Sequence, residues 1–380
     1  MMKIVYGQYT DPVMTFTPPQ YDPDKLNEMI IMAKNAYEMK NYRRALFLLE
    51  RITKDFPQNE AAKELYERIV YGLYYPEMII LEVTNKCKMG CPGCFVAKKR
   101  GFMEYNQFTS IIDESAPYLR TLRLYNHGDS FYHPDIYRMV DYMKDLRHME
   151  VYLSTHGSFE NFDAESLVKS GTRLFIDFSL DGATKETNAQ YRKAADFDLI
   201  IENMRKIMEF RRKYNSPWPK VEWKYILMKP NEHEMGKAIE MAEELQVDRL
   251  LFTPFSVGWF KVIREDQESL RKYMQEMIPT DRRYLHNDWD ALWERGFTGF
   301  RGHELKHCYN IGRIKPIIAW DGDVSPCSCC KPPYENVVGN VFEAGSFKAV
   351  WDSEKYREFR KQAVLDCTKL KPCDNCHLVS

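Results

Sequence analysis

The sequence has no apolar run long enough to span a membrane, almost no net charge and, from residue 95 to residue 307, no cysteine. A spanning helix needs roughly 18 consecutive apolar residues, and no uncharged stretch here approaches that, so no membrane partner is expected. The opening residues MMKIVYGQYTDPVMTFTPPQYDP lack the basic start and apolar core of a secretory signal, which makes the cytoplasm the expected compartment. Lysine plus arginine number 54 against 55 aspartate plus glutamate, a net charge of −1. Without a global basic field no nucleic-acid partner is expected either. Disorder is excluded by 44% hydrophobic and 14% aromatic residues against 29% charged. The 380 residues suit a barrel-sized domain with attachments, or two to three domains of roughly 100–200 residues each.

What is present is a set of ten cysteines in two groups, at 87, 91 and 94, then at 308, 327, 329, 330, 367, 373 and 376. A disulfide-stapled chain spreads its cysteines, whereas clustered thiols in a reducing compartment more often hold metal.

Four regions follow from the pattern. Residues 1–75 comprise an extended arm and a helical appendage. Asp22 or Asp24 can cap a first helix whose apolar face includes Met29, Ala33 and Ala36; Asn41 turns into a second with Ala45, Leu48, Leu49 and Ile52, Pro57 ends it, and a third runs from Ala61 to Ile69. The spacing of Ala33, Ala45 and Pro57 resembles one tetratricopeptide-type repeat, and one unit is too few for a free-standing array. Residues 76–260 alternate strand-like runs (Met78–Val83, Leu122–Tyr125, Val151–Thr155, Phe175–Leu180, Val221–Leu227 and Leu250–Pro254) with helices. That alternation predicts an α/β fold, a parallel sheet curved into a partial (β/α)6 TIM-type barrel with its chemistry at the C-terminal strand ends. Residues 261–302 read as a helical connector. Residues 303–380 read as a small tail domain, with a hairpin around Asp321-Gly322-Asp323 and a helix from Ser353 to Val364, too small to bury much core without a metal.

The first cysteine group, Cys87-Lys-Met-Gly-Cys91-Pro-Gly-Cys94-Phe95, lies in one loop directly after a predicted strand. Thiolates suit iron–sulfur clusters, and three of them leave one iron of a four-iron cluster open to another ligand; a zinc site or free thiols is the other reading of the spacing. The segment resembles the radical S-adenosylmethionine superfamily, whose signature is this C-x3-C-x2-C spacing after the first barrel strand. That family commonly has an aromatic before the last cysteine, where Gly93 stands here, with Phe95 following instead. Later strand ends carry further likenesses. Asn126-His127-Gly128-Asp129 resembles the Gly-Gly-Glu segment that binds the methionine amino group, with Asp129 in the glutamate place. Ser154-Thr155-His156-Gly157 resembles the third-strand Ser-Thr-Asn-Gly. Ser179-Leu180-Asp181-Gly182 with Arg192 resembles the fourth-strand motif and the arginine that meets the methionine carboxylate. The resemblance implies a [4Fe-4S] cluster on Cys87, Cys91 and Cys94. It also implies S-adenosylmethionine contacts from Phe95, Gly128, Asp129, Ser154, Thr155, Ser179, Asp181 and Arg192.

In the second group, Cys308, Cys327, Cys373 and Cys376 form a four-thiolate set in which a zinc ribbon is the competing reading. With Asp321 to Cys327, Val338 to Val341 and Trp351, the segment resembles the SPASM or twitch extension of the same superfamily. That resemblance implies one auxiliary [4Fe-4S] cluster and leaves Cys329, Cys330 and Cys367 without a fixed role.

Such an enzyme abstracts hydrogen from an unreactive carbon. A small-molecule substrate or a peptide is expected, with a reducing partner such as flavodoxin or ferredoxin. Net oxidation of a sugar or cyclitol is the first expectation, a peptide maturase the second, and a non-catalytic iron–sulfur binding protein the third. Side chains placed to handle a proton are His127, His156, Tyr125 and Lys224, all at or near predicted strand ends.

Overall fold

A computed structural model describes residues 2–6, 20–39, 42–69, 75–92, 94, 99–255, 267–281, 315–328, 336–370 and 373. The chain divides into two compact units, one of Met1–Thr10, Ile79–Thr298 and Ile318–Gly322, the other of Asp11–Met78, Gly299–Ile317 and Asp323–Ser380.

The first unit is the α/β sheet. Its strands are β1 (Lys3–Tyr6), β2 (Met78–Leu81), β3 (Thr121–Arg123), β4 (Glu150–Thr155), β5 (Leu174–Ser179), β6 (Lys220–Leu227) and β7 (Arg249–Pro254), in spatial order β1-β7-β6-β5-β4-β3-β2. From β3 to β7 each strand pairs in parallel with the next, and β1 continues the sheet parallel to β7. All six predicted strands are present. The first residues, expected as an extended arm, instead supply a seventh strand, with Val5 opposite Leu251. Helices α4 (Tyr105–Ser115), α5 (Ile136–Tyr142), α6 (Ala164–Ser170), α7 (Lys185–Tyr191), α8 (Phe197–Lys213) and α9 (Met235–Leu245) fill the crossovers of this partial TIM-type barrel.

Strand alternation sorts the two faces. Val151, Leu153, Ile176, Phe178, Val221, Trp223, Leu250 and Phe252 lie on the outer face and are almost wholly buried, as are Ile200, Met204 and Ile207 of α8. A Cβ on Gly157 would lie 2.6 Å from the Phe178 ring and 3.2 Å from Ile200, which places α8 against this face. Burial of each large apolar side chain contributes about 1.5–3 kcal/mol, so this layer holds the sheet in shape. The inner face is different. Register puts Arg123, Tyr152, Ser154, Asp177, Ser179, Glu222, Lys224, Ile226, Arg249 and Thr253 together on it. Arg123, Ser154, Lys224, Ile226 and Thr253 are less completely buried than the apolar side chains of the outer face.

Beside β2, Ile318 of the short β8 (Ile317–Ile318) accepts from Glu82 N at 2.8 Å, and Gly322, in the left-handed region at φ 87°, closes the turn back to Ala319 O.

The second unit contains helices α1 (Leu26–Glu38), α2 (Tyr42–Asp55) and α3 (Glu60–Arg68) together with the C-terminal segment. Ala33 and Ala45 have no exposed surface, which lets α1 and α2 approach closely. Asp22 caps the helical turn before α1 and Asn59 caps α3. Of the C-terminal segment, β9 (Asp323–Ser325) pairs antiparallel with β10 (Gly339–Asn340), and a helix over Glu354–Asp366 is capped by Ser353. The Tyr356 hydroxyl of that helix donates to Pro326 O at 2.7 Å, fixing the backbone immediately before Cys327. Of the connector 261–302, Gln267–Met277 forms a helix and much of the remainder lies outside the described residues.

Candidate active site

Four strand ends meet at the C-terminal edge of the sheet, as the resemblance requires. After β2 the chain enters the cysteine loop, whose neck is closed by backbone and side-chain bonds. Thr84 bridges Phe102, and Met103 N donates to Val83 O at 2.9 Å. Thr84 Oγ1 donates to Gly101 O at 2.7 Å, and the Asn85 amide donates to Lys99 O and accepts from Gly101 N. Inside the neck, Cys94 N donates to Cys91 O, and Gly90 takes the left-handed conformation that the turn between Cys87 and Cys91 requires. The three thiols are partly exposed and close enough to raise one another's pKa values; burial, the largest cause, pushes Cys87 up to about 11.

After β3 come His127, Gly128 and Asp129. Gly128 is needed twice over. Its φ is 83°, and a Cβ there would stand 2.5 Å from the Asn85 carbonyl carbon and 2.9 Å from Lys86 N. This close approach lets Asp129 N donate to Lys86 O at 3.0 Å, joining the second strand end to the cysteine loop. Glu82, fully buried, accepts from His127 N and the Asn126 amide and so fixes the turn from beneath.

Asp129 is also buried. Its carboxylate accepts from Phe131 N at 3.1 Å, Thr155 Oγ1 at 2.9 Å and His156 N at 2.8 Å, tying β3 to β4. Burial pushes its pKa up to about 6 despite those donors. His156 Nδ1 accepts from Ser158 N at 3.0 Å, its Nε2 lies 3.5 Å from Asp129 Oδ2, and its ring stacks on Phe159 at 4.4 Å. Burial, assisted by Arg192 and Lys88, lowers His156 to about 3. The ring is neutral at pH 7, with its acceptor nitrogen already engaged.

After β5, Asp181 is completely buried and accepts from Ile226 N at 2.8 Å while its other oxygen lies 2.7 Å from Arg192 Nε. Gly182 allows the chain to pass Asn188, whose backbone nitrogen would be 2.4 Å from an added Cβ. Arg192 Nη1 reaches 3.7 Å from Cys91 Sγ. Burial opposes the charge of Arg192, but Asp181 and Cys91 hold its pKa above the ordinary arginine value. Arg192 in turn partly offsets the burial that raises Cys91.

The structure thus brings Cys87, Cys91, Cys94, Gly128, Asp129, Thr155, His156, Asp181 and Arg192 into one connected network. Ser154, Ser179 and Lys224 lie on the adjoining inner face, with Lys224 opposite Ser179. His127 is buried under the mouth and Tyr125 is partly exposed just past β3. Phe95, Cys308, Cys329, Cys330 and Cys376 lie outside the described residues. Cys367 and Cys373 are buried, and Cys327 is partly exposed. Sequence reasoning missed Glu82, whose only signal is a carboxylate inside the apolar run Met78–Val83. It also missed Trp320, whose ring lies 2.2–2.5 Å from where a Cβ on Gly101 would be, against the neck of the cysteine loop.

The donor set fits an iron–sulfur cluster. Cys87, Cys91 and Cys94 stand in one short loop, partly exposed, with the Arg192 guanidinium beside Cys91, and thiolates are the ligands such clusters take.

Residues 308–377 match SPASM, an iron–sulfur cluster-binding domain. The chain is 22% identical over 331 residues to the tungsten-containing aldehyde ferredoxin oxidoreductase cofactor-modifying protein of Pyrococcus furiosus, covering 78% of this chain and 88% of the relative. It is 24% identical over 328 residues to the mycofactocin maturase MftC of Mycobacterium tuberculosis, covering 82% and 80%. Among solved structures, Streptococcus suis SuiB bound to the precursor peptide SuiA shares the fold with a TM-score of 0.55 and 15% identity, over 91% of this chain and 82% of that one. SuiB bound to S-adenosylmethionine gives 0.52 and 15%, over 86% and 77%. This chain therefore belongs to the radical S-adenosylmethionine superfamily of enzymes and carries a SPASM domain, with [4Fe-4S] clusters and S-adenosylmethionine as its cofactors.

Proposed function

We propose that the protein is a radical S-adenosylmethionine maturase that modifies a peptide. The observation that carries this reading is its similarity, over about four-fifths of the chain, to a protein named a maturase. The fold shared with SuiB, solved with a precursor peptide, supports it. Oxidation of a free sugar or cyclitol, the first expectation from sequence, has no comparable support.

In this reading Cys87, Cys91 and Cys94 hold the catalytic cluster, and Cys308, Cys327, Cys373 and Cys376 hold the auxiliary one. The bound cluster and S-adenosylmethionine supply a 5′-deoxyadenosyl radical, with electrons from a flavodoxin- or ferredoxin-type partner. The chain's own residues set the geometry. Arg192, clamped by Asp181, keeps a positive charge beside Cys91 and offers its remaining N–H groups to a carboxylate. Asp129, ionised above about pH 6, presents an acceptor for an ammonium group. Gly128, Ser154, Thr155 and Ser179 keep the surrounding strand ends close, and Phe95 follows the last cysteine. His156 is a positioning residue, its ring Nδ1 accepting from Ser158 N, while His127 is anchored through its backbone N–H to Glu82. Tyr125 and Lys224 are the members of the sequence-derived set that this reading leaves for proton transfer.

The test is to incubate the reconstituted enzyme with the short peptides encoded beside its gene and, separately, with a panel of free sugars and cyclitols. A mass change in a peptide, together with peptide-dependent 5′-deoxyadenosine, is expected. Turnover of a sugar or cyclitol with every peptide unchanged would overturn the proposal.

A further inference from the structure

Glu234 is a buried carboxylate outside every motif of the site. It ends the helical turn Glu232–Glu234 after β6 and is 7% exposed. Among the described residues, the hydrogen bonds it accepts all come from the start of α7: Ala183 N at 2.7 Å, Thr184 Oγ1 at 2.8 Å and Thr187 Oγ1 at 2.9 Å. Thr184 in turn caps that helix through Thr187 N. Burial opposes the charge of Glu234, yet Ala183 N and the two hydroxyls hold its pKa below the usual glutamate value, so it is ionised. Hydrogen bonds to an ionised acceptor are roughly twice as strong as neutral ones, and here they fasten α7 to the segment that follows β6.

α7 is the element that carries Arg192. The arginine is its C-cap and donates its backbone N–H to Asn188 O at 2.9 Å. At a rise of ~1.5 Å per residue, about 10 Å of helix separates the Glu234 grip from the root of the guanidinium. Asp181 makes a second grip. Its N donates to Asn188 Oδ1 at 3.0 Å, its O accepts from Asn231 Nδ2 at 3.0 Å, and its carboxylate reaches Ile226 N and Arg192 Nε. Ile226 belongs to β6, and Asn231 and Glu234 to the turn after it. Arg192 is thus located from β6 twice, at its guanidinium through Asp181 and at the far end of its helix through Glu234. The Asp181 contact at Nε fixes a distance and leaves a pivot; the helix fixes the direction.

We propose that Glu234 is a positioning residue for Arg192, setting from outside the site the orientation in which the guanidinium meets the carboxylate of S-adenosylmethionine. This rests on the reading of Arg192 as the partner of that carboxylate and does not depend on what the substrate is. Displacing an orienting group by about 1 Å can cost on the order of a hundredfold, which is why a carboxylate at the other end of α7 matters to the site. A purely structural Glu234 would act differently, weakening the fold and every ligand together.

The test compares binding of S-adenosylmethionine with that of its decarboxylated form, which keeps the sulfonium and ammonium groups, by anaerobic calorimetric titration of the full-length reconstituted protein. Glu234→Ala is expected to weaken S-adenosylmethionine about tenfold and the decarboxylated form less than about twofold, and Arg192→Gln to weaken S-adenosylmethionine about thirtyfold. Glu234→Gln, which keeps an acceptor oxygen for the threonines, should lie between wild type and Glu234→Ala, at about threefold. Adding Glu234→Ala to Arg192→Gln should cost nothing further, because the residue then has no guanidinium to orient. Thr184→Val with Thr187→Val removes two donors and leaves the carboxylate in place; about fivefold weakening of S-adenosylmethionine alone is expected, which covers the case in which Glu234→Ala does not fold. Equal weakening of both ligands, or an additive loss in the double variant, would overturn the positioning role. Loss of the preference for the carboxylate in Arg192→Gln but in none of the Glu234 and threonine variants would overturn it while sparing the reading of Arg192. An unchanged preference in Arg192→Gln would overturn both.

Discussion

Asp181 shows how much one side chain organises here. Its carboxylate fixes Ile226 N, and through Arg192 it determines where a guanidinium stands relative to Cys91. Removing one partner of a buried pair leaves the other charge uncompensated and costs about 3–5 kcal/mol. Asp181→Asn is therefore expected to lower unfolding stability by roughly that amount and to release Arg192 from the cysteine loop; a loss below about 1 kcal/mol in urea denaturation would contradict the pairing. Glu222 gives a second prediction at this scale. Burial, then the facing Asp177, pushes its pKa up to about 8 against the pull of Arg249. A carboxyl whose folded pKa lies above its unfolded value of about 4.3 binds extra protons when folded. Its contribution is full below that unfolded value and declines as pH rises, being lost through about 8. Stability measured from pH 5 to 8 should fall by up to about 1 kcal/mol per pH unit from this site, and Glu222→Gln should flatten that slope. An unchanged slope in the variant would show that Glu222 is already ionised when folded.

Among the elements, the neck of the cysteine loop is the most exacting. Gly101 is packed so tightly on Trp320 that any side chain must displace the ring or the strand. Gly101→Ala is expected to disturb the Thr84–Phe102 bridge and reduce iron bound at the first cluster severalfold, and Trp320→Leu in the same chain should restore it, as read by iron content and electron paramagnetic resonance. Restoration failing while the fold survives would remove Trp320 from the explanation. This neck also marks the boundary of what the sequence could reveal. The six barrel strands were legible because each is an apolar run between turn formers, and the strand-end order made Asp129, Thr155, Asp181 and Arg192 identifiable. Trp320 was not, because it meets Gly101 from more than two hundred residues away and no local pattern records such a contact. β1 was missed for another reason. Four residues beginning at Lys3 are too few to show a period, and their strand state comes from pairing with β7. The engagement of the His156 ring was equally hidden, since only its hydrogen bond from Ser158 N reveals it.

At the level of the whole molecule, a cysteine-free centre separates two thiol-bearing segments, and the reason is now physical. The centre builds the barrel, whose outer face needs packing and whose inner face needs charge, while the thiols are confined to the loop after β2 and the SPASM segment. The central claim is that the first of these segments commits S-adenosylmethionine to radical chemistry. Formation of 5′-deoxyadenosine by the anaerobically reconstituted protein, with dithionite and S-adenosylmethionine and quantified by mass spectrometry, tests it most directly. Wild type is expected to form the nucleoside and Cys91→Ala to form none above background; equal formation by both, or none by a wild-type protein fully loaded with iron and sulfide, would contradict the account.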